Sequence, residues 1–122
     1  MKNVMYWISW VISALPILLM LMGAGMGLSG NPQAIEGFKK TGYPEGVLIP
    51  IIVVELICIV LYLIPQTSVL GAVLLTGYLG GAVATHVRVG EPFYLPLAVG
   101  ALLWLGLMLR DPALRKLFPF RS

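Results

Sequence analysis

The sequence predicts an all-α membrane protein: an up-down four-helix transmembrane bundle with a short interfacial C-terminal helix, within a single domain spanning residues 1–122. Three observations carry that prediction. Hydrophobic residues make up 59% of the chain and charged residues 11%. Soluble domains run at roughly 45–50% and about 25%, so eight basic and five acidic side chains are too few to cover a water-facing surface. The apolar residues fall into four runs of about 17–25 residues, the length that crosses a hydrocarbon core. The basic residues stand at the ends of those runs, where lysine and arginine meet headgroups. Disorder is excluded by the high hydrophobicity. The single cysteine excludes an internal disulfide framework and a four-thiolate zinc site.

The first run covers about 4–28 and contains no charge. It exceeds the usual 7–15 residues of a signal-peptide core and lacks a small-residue cleavage pattern, which favours a retained helix. Pro16 lies within it and predicts a kink. Ser29-Gly30-Asn31-Pro32 ends it, and a polar loop with Glu36, Lys39 and Lys40 follows. The second helix is expected over about 46–64, interrupted by Glu55. Pro65-Gln66-Thr67-Ser68 makes a tight uncharged hairpin, with Thr67 or Ser68 available to cap the next helix. The third helix is expected over about 67–87 and the fourth over about 92–109, separated by Gly90-Glu91-Pro92. Prolines 50 and 96 fall in first turns, where amides are unpaired in any case.

The tail over 111–122 reads as an interfacial helix. Asp111 suits its N-cap and Pro112 its first position. Leu114, Leu117 and Phe118 are expected in the headgroup boundary, with Arg115 and Lys116 snorkelling outward. Tyr6, Trp7 and Trp10 suit a belt at the same surface. Short loops make successive helices antiparallel neighbours, so both termini share one side. That side holds Lys2, Arg110, Arg115, Lys116 and Arg121 against Lys39, Lys40 and Arg88 on the other, which favours cytoplasmic termini. Bases without interleaved aromatics exclude a nucleic-acid interface.

Glu55 is the most informative residue. A carboxylate at a helix centre costs about 2.5–3.5 kcal/mol on insertion scales, so it is expected to face the bundle interior. Two readings stand: a proton or ligand site, or an acid bonded to a neighbouring helix. Counting back from the hairpin places Glu55 level with Thr76 to Tyr78, whose hydroxyls suit a buried carboxyl. The same counting places His86, with Arg88, near Glu45 at the far surface, about 13–15 Å from Glu55 in depth. His86 suits a quinone-like carbonyl, a titrating group or an interfacial contact. Arg88 is expected to neutralise Glu91, Glu45 or a lipid phosphate. No metal site is expected, since no second histidine exists. Gly23-x-x-x-Gly27 and Gly77-x-x-x-Gly81 suggest close helix packing or a homo-oligomer. Cys58, one turn beyond Glu55, reads as a small buried hydrophobe.

Gly42-Tyr43-Pro44, Glu55-Leu56, Tyr62-Leu63-Ile64-Pro65, the run from Thr76 through Thr85-His86-Val87-Arg88, and Arg110-Asp111-Pro112 together resemble the DoxX-like family of small bacterial membrane proteins. The resemblance covers nearly everything from Gly42 onward. It implies a four-helix protein of the bacterial inner membrane and marks Glu55, His86 and Arg88 as matching polar positions. Relatives are linked to thiosulfate:quinone oxidoreductase and other membrane oxidoreductases. The chain lacks the ligand sets for haem or iron–sulfur centres, so no covalently bound cofactor is expected. It carries no catalytic constellation of its own. The leading expectation is an accessory or quinone-side subunit, with quinone as the ligand, an oxidoreductase as the partner and the lipid bilayer as solvent. The alternatives are a proton-coupled transporter or channel-like oligomer, and a structural scaffold.

Overall fold

The computed structural model describes residues 2–117, without the side chains of Lys2 and Glu45. Glu45 as a site residue, and Lys2, Phe118 and Arg121 as surface residues, therefore lie outside the described part. The described residues form helices and turns and contain no strand: α1 (Lys2–Leu28), α2 (Pro32–Lys40), α3 (Leu48–Leu63), α4 (Ser68–Arg88), α5 (Tyr94–Arg110) and α6 (Pro112–Arg115). Single 3₁₀ turns at Glu45–Val47 and Pro65–Thr67 flank α3. Asn3–Leu28 and Pro65–Arg88 are long and apolar enough to cross a membrane, while α3 and α5 are shorter apolar helices.

Helix α2 occupies what the sequence reading treats as a loop. Asn31 and Pro32 start it: the Asn31 side chain accepts hydrogen bonds from the amides of Gln33 at 2.9 Å and Ala34 at 3.3 Å, and Pro32 takes the first position. Helix α6 begins the same way, with Asp111 accepting from Ala113 and Leu114. Pro112, Ala113 and Arg115 are exposed, but Leu114 does not reach the headgroup boundary expected for it. Leu114 is buried in the core, and Arg115 donates at 2.7 Å to the carbonyls of Met108 and Leu109, which the end of α5 leaves unpaired. At the α3–α4 hairpin the expected cap is also reversed. Thr67 donates to the carbonyl of Leu61 and Ser68 to that of Tyr62, so both hydroxyls close the end of α3 rather than the start of α4.

The four longer helices form a ring in which α1 packs on α3 and α5, and α4 on α3 and α5. Tyr62 near the end of α3 bonds Ser13 in the first half of α1, and Arg88 at the end of α4 reaches Thr41 before α3, so neighbours run antiparallel. At the end of the ring carrying the start of α1, the helices are pinned tightly. A β-carbon on Gly71 would fall on the backbone of Tyr62, and one on Gly106 would fall on Ser13 Oγ. Around these contacts lies a dry core that includes Ile59, Tyr62, Leu75 and Leu103, each at most 2% exposed. The glycines of the two G-x-x-x-G motifs do not serve this packing. Positions 23, 77 and 81 have open space where a side chain would stand, and only Gly27 is crowded, by Ile52.

Candidate functional site

Away from the pinned end, the helices part around a cavity of about 800 Å³. All four long helices line it, and α2 lies at its mouth through Ala34, Gly37 and Phe38. The motif glycines, at 23, 27, 77 and 81, line it too. Their lack of side chains makes room inside the ring, which is a different use from the close helix contact their spacing suggests.

Glu55, in the middle of α3, lies at the inner part of this cavity and is only 7% exposed. Tyr78 on α4 donates its hydroxyl to Glu55 Oε2 at 3.0 Å. The other carboxyl oxygen, Oε1, has no hydrogen bond among the described residues. Thr76 is not part of this pair. Residues two apart on a helix point about 200° away from each other, so α4 can turn only one of the two toward α3. Thr76 instead donates to the carbonyl of Ala72 at 2.8 Å and accepts from Trp104 Nε1 at 2.6 Å.

His86 lies two turns beyond Tyr78 along α4, about 12 Å away at 1.5 Å per residue, and lines the outer part of the same cavity. Its Nδ1 is 2.7 Å from the carbonyl of Ala82. That contact requires the hydrogen on Nδ1, which leaves Nε2 as an acceptor in the neutral ring. Glu91 joins it at the mouth. Gly90 (φ +76°) ends α4 in a left-handed turn, and the Glu91 amide bonds the carbonyl of His86 at 2.9 Å. Arg88 turns outward from this group. It donates to the carbonyl of Thr41 and stacks over Tyr43 at 5.5 Å, and so fastens the α2–α3 connection rather than neutralising Glu91. The Tyr43 hydroxyl lies 3.0 Å from Thr85 Oγ1 and adds a second tie.

The family model for the DoxX-like family matches residues 11–107, from the first half of α1 to near the end of α5. The chain belongs to the DoxX-like family. No curated protein and no solved structure matches it. As a DoxX-like protein it is a membrane protein, in keeping with its two long apolar helices. The matched span contains the Glu55–Tyr78 pair, His86, Glu91 and the cavity glycines. Among the described residues of this DoxX-like chain, no group of three or more histidines, cysteines or acids is placed to hold a metal ion.

Sequence reasoning missed α2, Tyr43 and Glu91 as parts of the site. The signal for α2 was present: Asn31-Pro32 is the same start pattern as Asp111-Pro112. Glu91 was legible only as a partner for Arg88.

Proposed function

We propose that the chain is a four-span protein of the bacterial inner membrane that serves as the quinone-side, accessory subunit of a membrane oxidoreductase. One observation carries the ligand reading: a cavity of about 800 Å³ with a carboxyl–hydroxyl pair at its inner part and a histidine at its outer part. That volume lies within the roughly 300–1,000 Å³ of ordinary small-molecule sites. A quinol hydroxyl donating to Glu55 Oε1 would satisfy an oxygen that otherwise has no partner, and Tyr78 holds the carboxyl in place for it. The apolar walls suit a ring and the start of a prenyl chain. The glycines at 77 and 81 leave a flat surface on α4 against which a ring can lie.

Membrane crossing by all four long helices is supported by their outer faces. Val11 and Leu18 on α1, Val54 and Ile57 on α3, Val73 on α4 and Leu97 on α5 are all more than half exposed. Only 33% and 28% of the two longest spans is buried, far less than in the core helix of a soluble protein. Helix α3, about 24 Å long at 16 residues, is lengthened by a 3₁₀ turn at each end toward the roughly 30 Å of a hydrocarbon core. Exposed aromatics flank the helices at both ends, Tyr6 and Trp7 at one and Tyr43 and Tyr94 at the other. A channel fits less well. Beyond Glu55 the core is filled by Cys58, Ile59, Leu75 and Leu103, each at most 5% exposed.

The test is quinol-analogue binding to purified protein in lipid nanodiscs. Glu55→Gln is expected to weaken binding at least tenfold, because the carboxamide cannot exchange a proton and offers a weaker acceptor. Tyr78→Phe is expected to weaken it several-fold. Wild-type affinity in both variants would overturn the reading.

A further inference from the structure

The chain carries eight lysines and arginines against five acids, yet its cavity has the opposite balance. Two of the five acids, Glu55 and Glu91, line the cavity, and among the described residues no lysine or arginine does. Arg88 lies at the rim, where its charge is engaged by the Thr41 carbonyl and the Tyr43 ring. The free hydrogen-bonding positions inside are acceptors: Oε1 of Glu55, the carboxylate of Glu91 and, in the neutral ring, Nε2 of His86. Phe38 and Tyr78 contribute aromatic surface to the walls, while the Tyr43 ring, which also lines the cavity, is already covered by Arg88. Acids beside aromatic faces form the chemistry that holds an organic cation, which gains Coulombic attraction and cation–π contact together. The remaining walls are apolar, including Leu19, Ile52, Leu95 and Val99. They favour a cation carrying hydrocarbon groups over a small hydrated ion.

We infer that the cavity binds lipophilic organic cations, meaning amines or quaternary centres bearing apolar substituents, with Glu55 as the inner counter-charge and Glu91 as the outer one. The inference rests on the cavity being a ligand site, as proposed above, and not on that ligand being a quinone. Its entry order follows from the placement. Glu91 at the mouth attracts the cation, the aromatic and aliphatic walls replace its hydration, and Glu55 receives it at depth.

The experiment uses the full chain in nanodiscs of zwitterionic lipid, with empty nanodiscs subtracted. The probes are tetraphenylphosphonium, its near-isosteric anion tetraphenylborate, and a neutral short-chain quinol. The phosphonium is expected to bind and the borate not to compete. Glu55→Gln is expected to weaken the cation at least tenfold and Glu91→Gln several-fold. Gly81→Leu, which places a side chain in the open space at that position, is expected to abolish binding, and it serves where Glu55→Gln does not fold. Equal binding of the two ions, or cation affinity unchanged in the acid variants or in Gly81→Leu, overturns the inference. Quinol binding without phosphonium binding overturns it too while leaving the quinone reading in place. Phosphonium binding without quinol binding supports it and overturns the quinone reading. Binding of neither removes both.

Discussion

Tyr62 and Tyr78 illustrate how a tyrosine's hydroxyl decides its role. Tyr62 is fully buried at the pinned end, donates to the carbonyl of Leu103 at 2.5 Å, and meets Ser13 at 2.8 Å. Arg110 completes this cluster by donating to Ser13 at 2.9 Å and stacking over Trp10 at 4.0 Å. Every one of these bonds ties helices together, and none reaches the cavity. Tyr62→Phe is therefore expected to cost about 1–3 kcal/mol of stability, since it removes two buried hydrogen bonds, to the Leu103 carbonyl and with the Ser13 hydroxyl. Quinol and cation affinity should stay at wild-type values, and a thermal melt alongside a binding titration checks both. Tyr78→Phe should give the reverse pattern. From the sequence, Glu55 was legible as an inward-facing acid because hydrocarbon penalises any other placement. Its partner was legible only to within a turn, since helix counting fixes depth and not azimuth. That is why Thr76 and Tyr78 were both candidates and only one meets the carboxyl. The inward turn of Arg110 had no sequence signal, because it depends on Ser13 and Trp10 arriving from a helix about a hundred positions earlier.

At the scale of elements, the glycines divide into two kinds that spacing does not distinguish. Gly71 and Gly106 allow helix backbones to approach, whereas positions 23, 77 and 81 border empty space. Gly71→Ala is expected to destabilise by about 1–3 kcal/mol, because its methyl group meets the rigid backbone of Tyr62 rather than a movable side chain. Gly81→Ala should instead be neutral or stabilising by up to about 1 kcal/mol, the helix-propensity difference between the two residues. Denaturation of the two variants under one set of conditions tests the contrast, and equal losses would contradict it. The four long helices were readable from apolar run length, with ends within a few residues of those observed. Helix α2 was not, because a nine-residue amphipathic segment with glycine and several charges looks like a loop until its apolar side finds a surface. Here that surface is the cavity mouth, so the segment's helicity depends on tertiary context.

For the whole molecule, the alternation of helix direction places residue 40 at one end of the ring and residue 116 at the other. With Cys58→Ala removing the natural thiol, Lys40→Cys and Lys116→Cys are expected to react with a membrane-impermeant maleimide from opposite sides of the bilayer. In intact cells Lys40→Cys should label and Lys116→Cys should label only after permeabilisation. Labelling of both from the same side would contradict the four-span topology, and the reverse pattern would place the termini outside. Membrane character was the most legible property of all, since composition alone sets it. The cavity was the least legible, because an empty volume is a difference between four helix paths and leaves no mark in any one of them.

The tight glycine contacts gather at one end of the ring and the open volume at the other, which gives the molecule a polarity that a symmetric bundle lacks. If the termini lie in the cytoplasm, as the charge balance favours, the base of this vessel would face the cell interior and its lip the periplasm. Whatever occupies it would be collected from, and returned to, the outer leaflet, so turnover by this chain would draw on one face of the membrane without moving its cargo across.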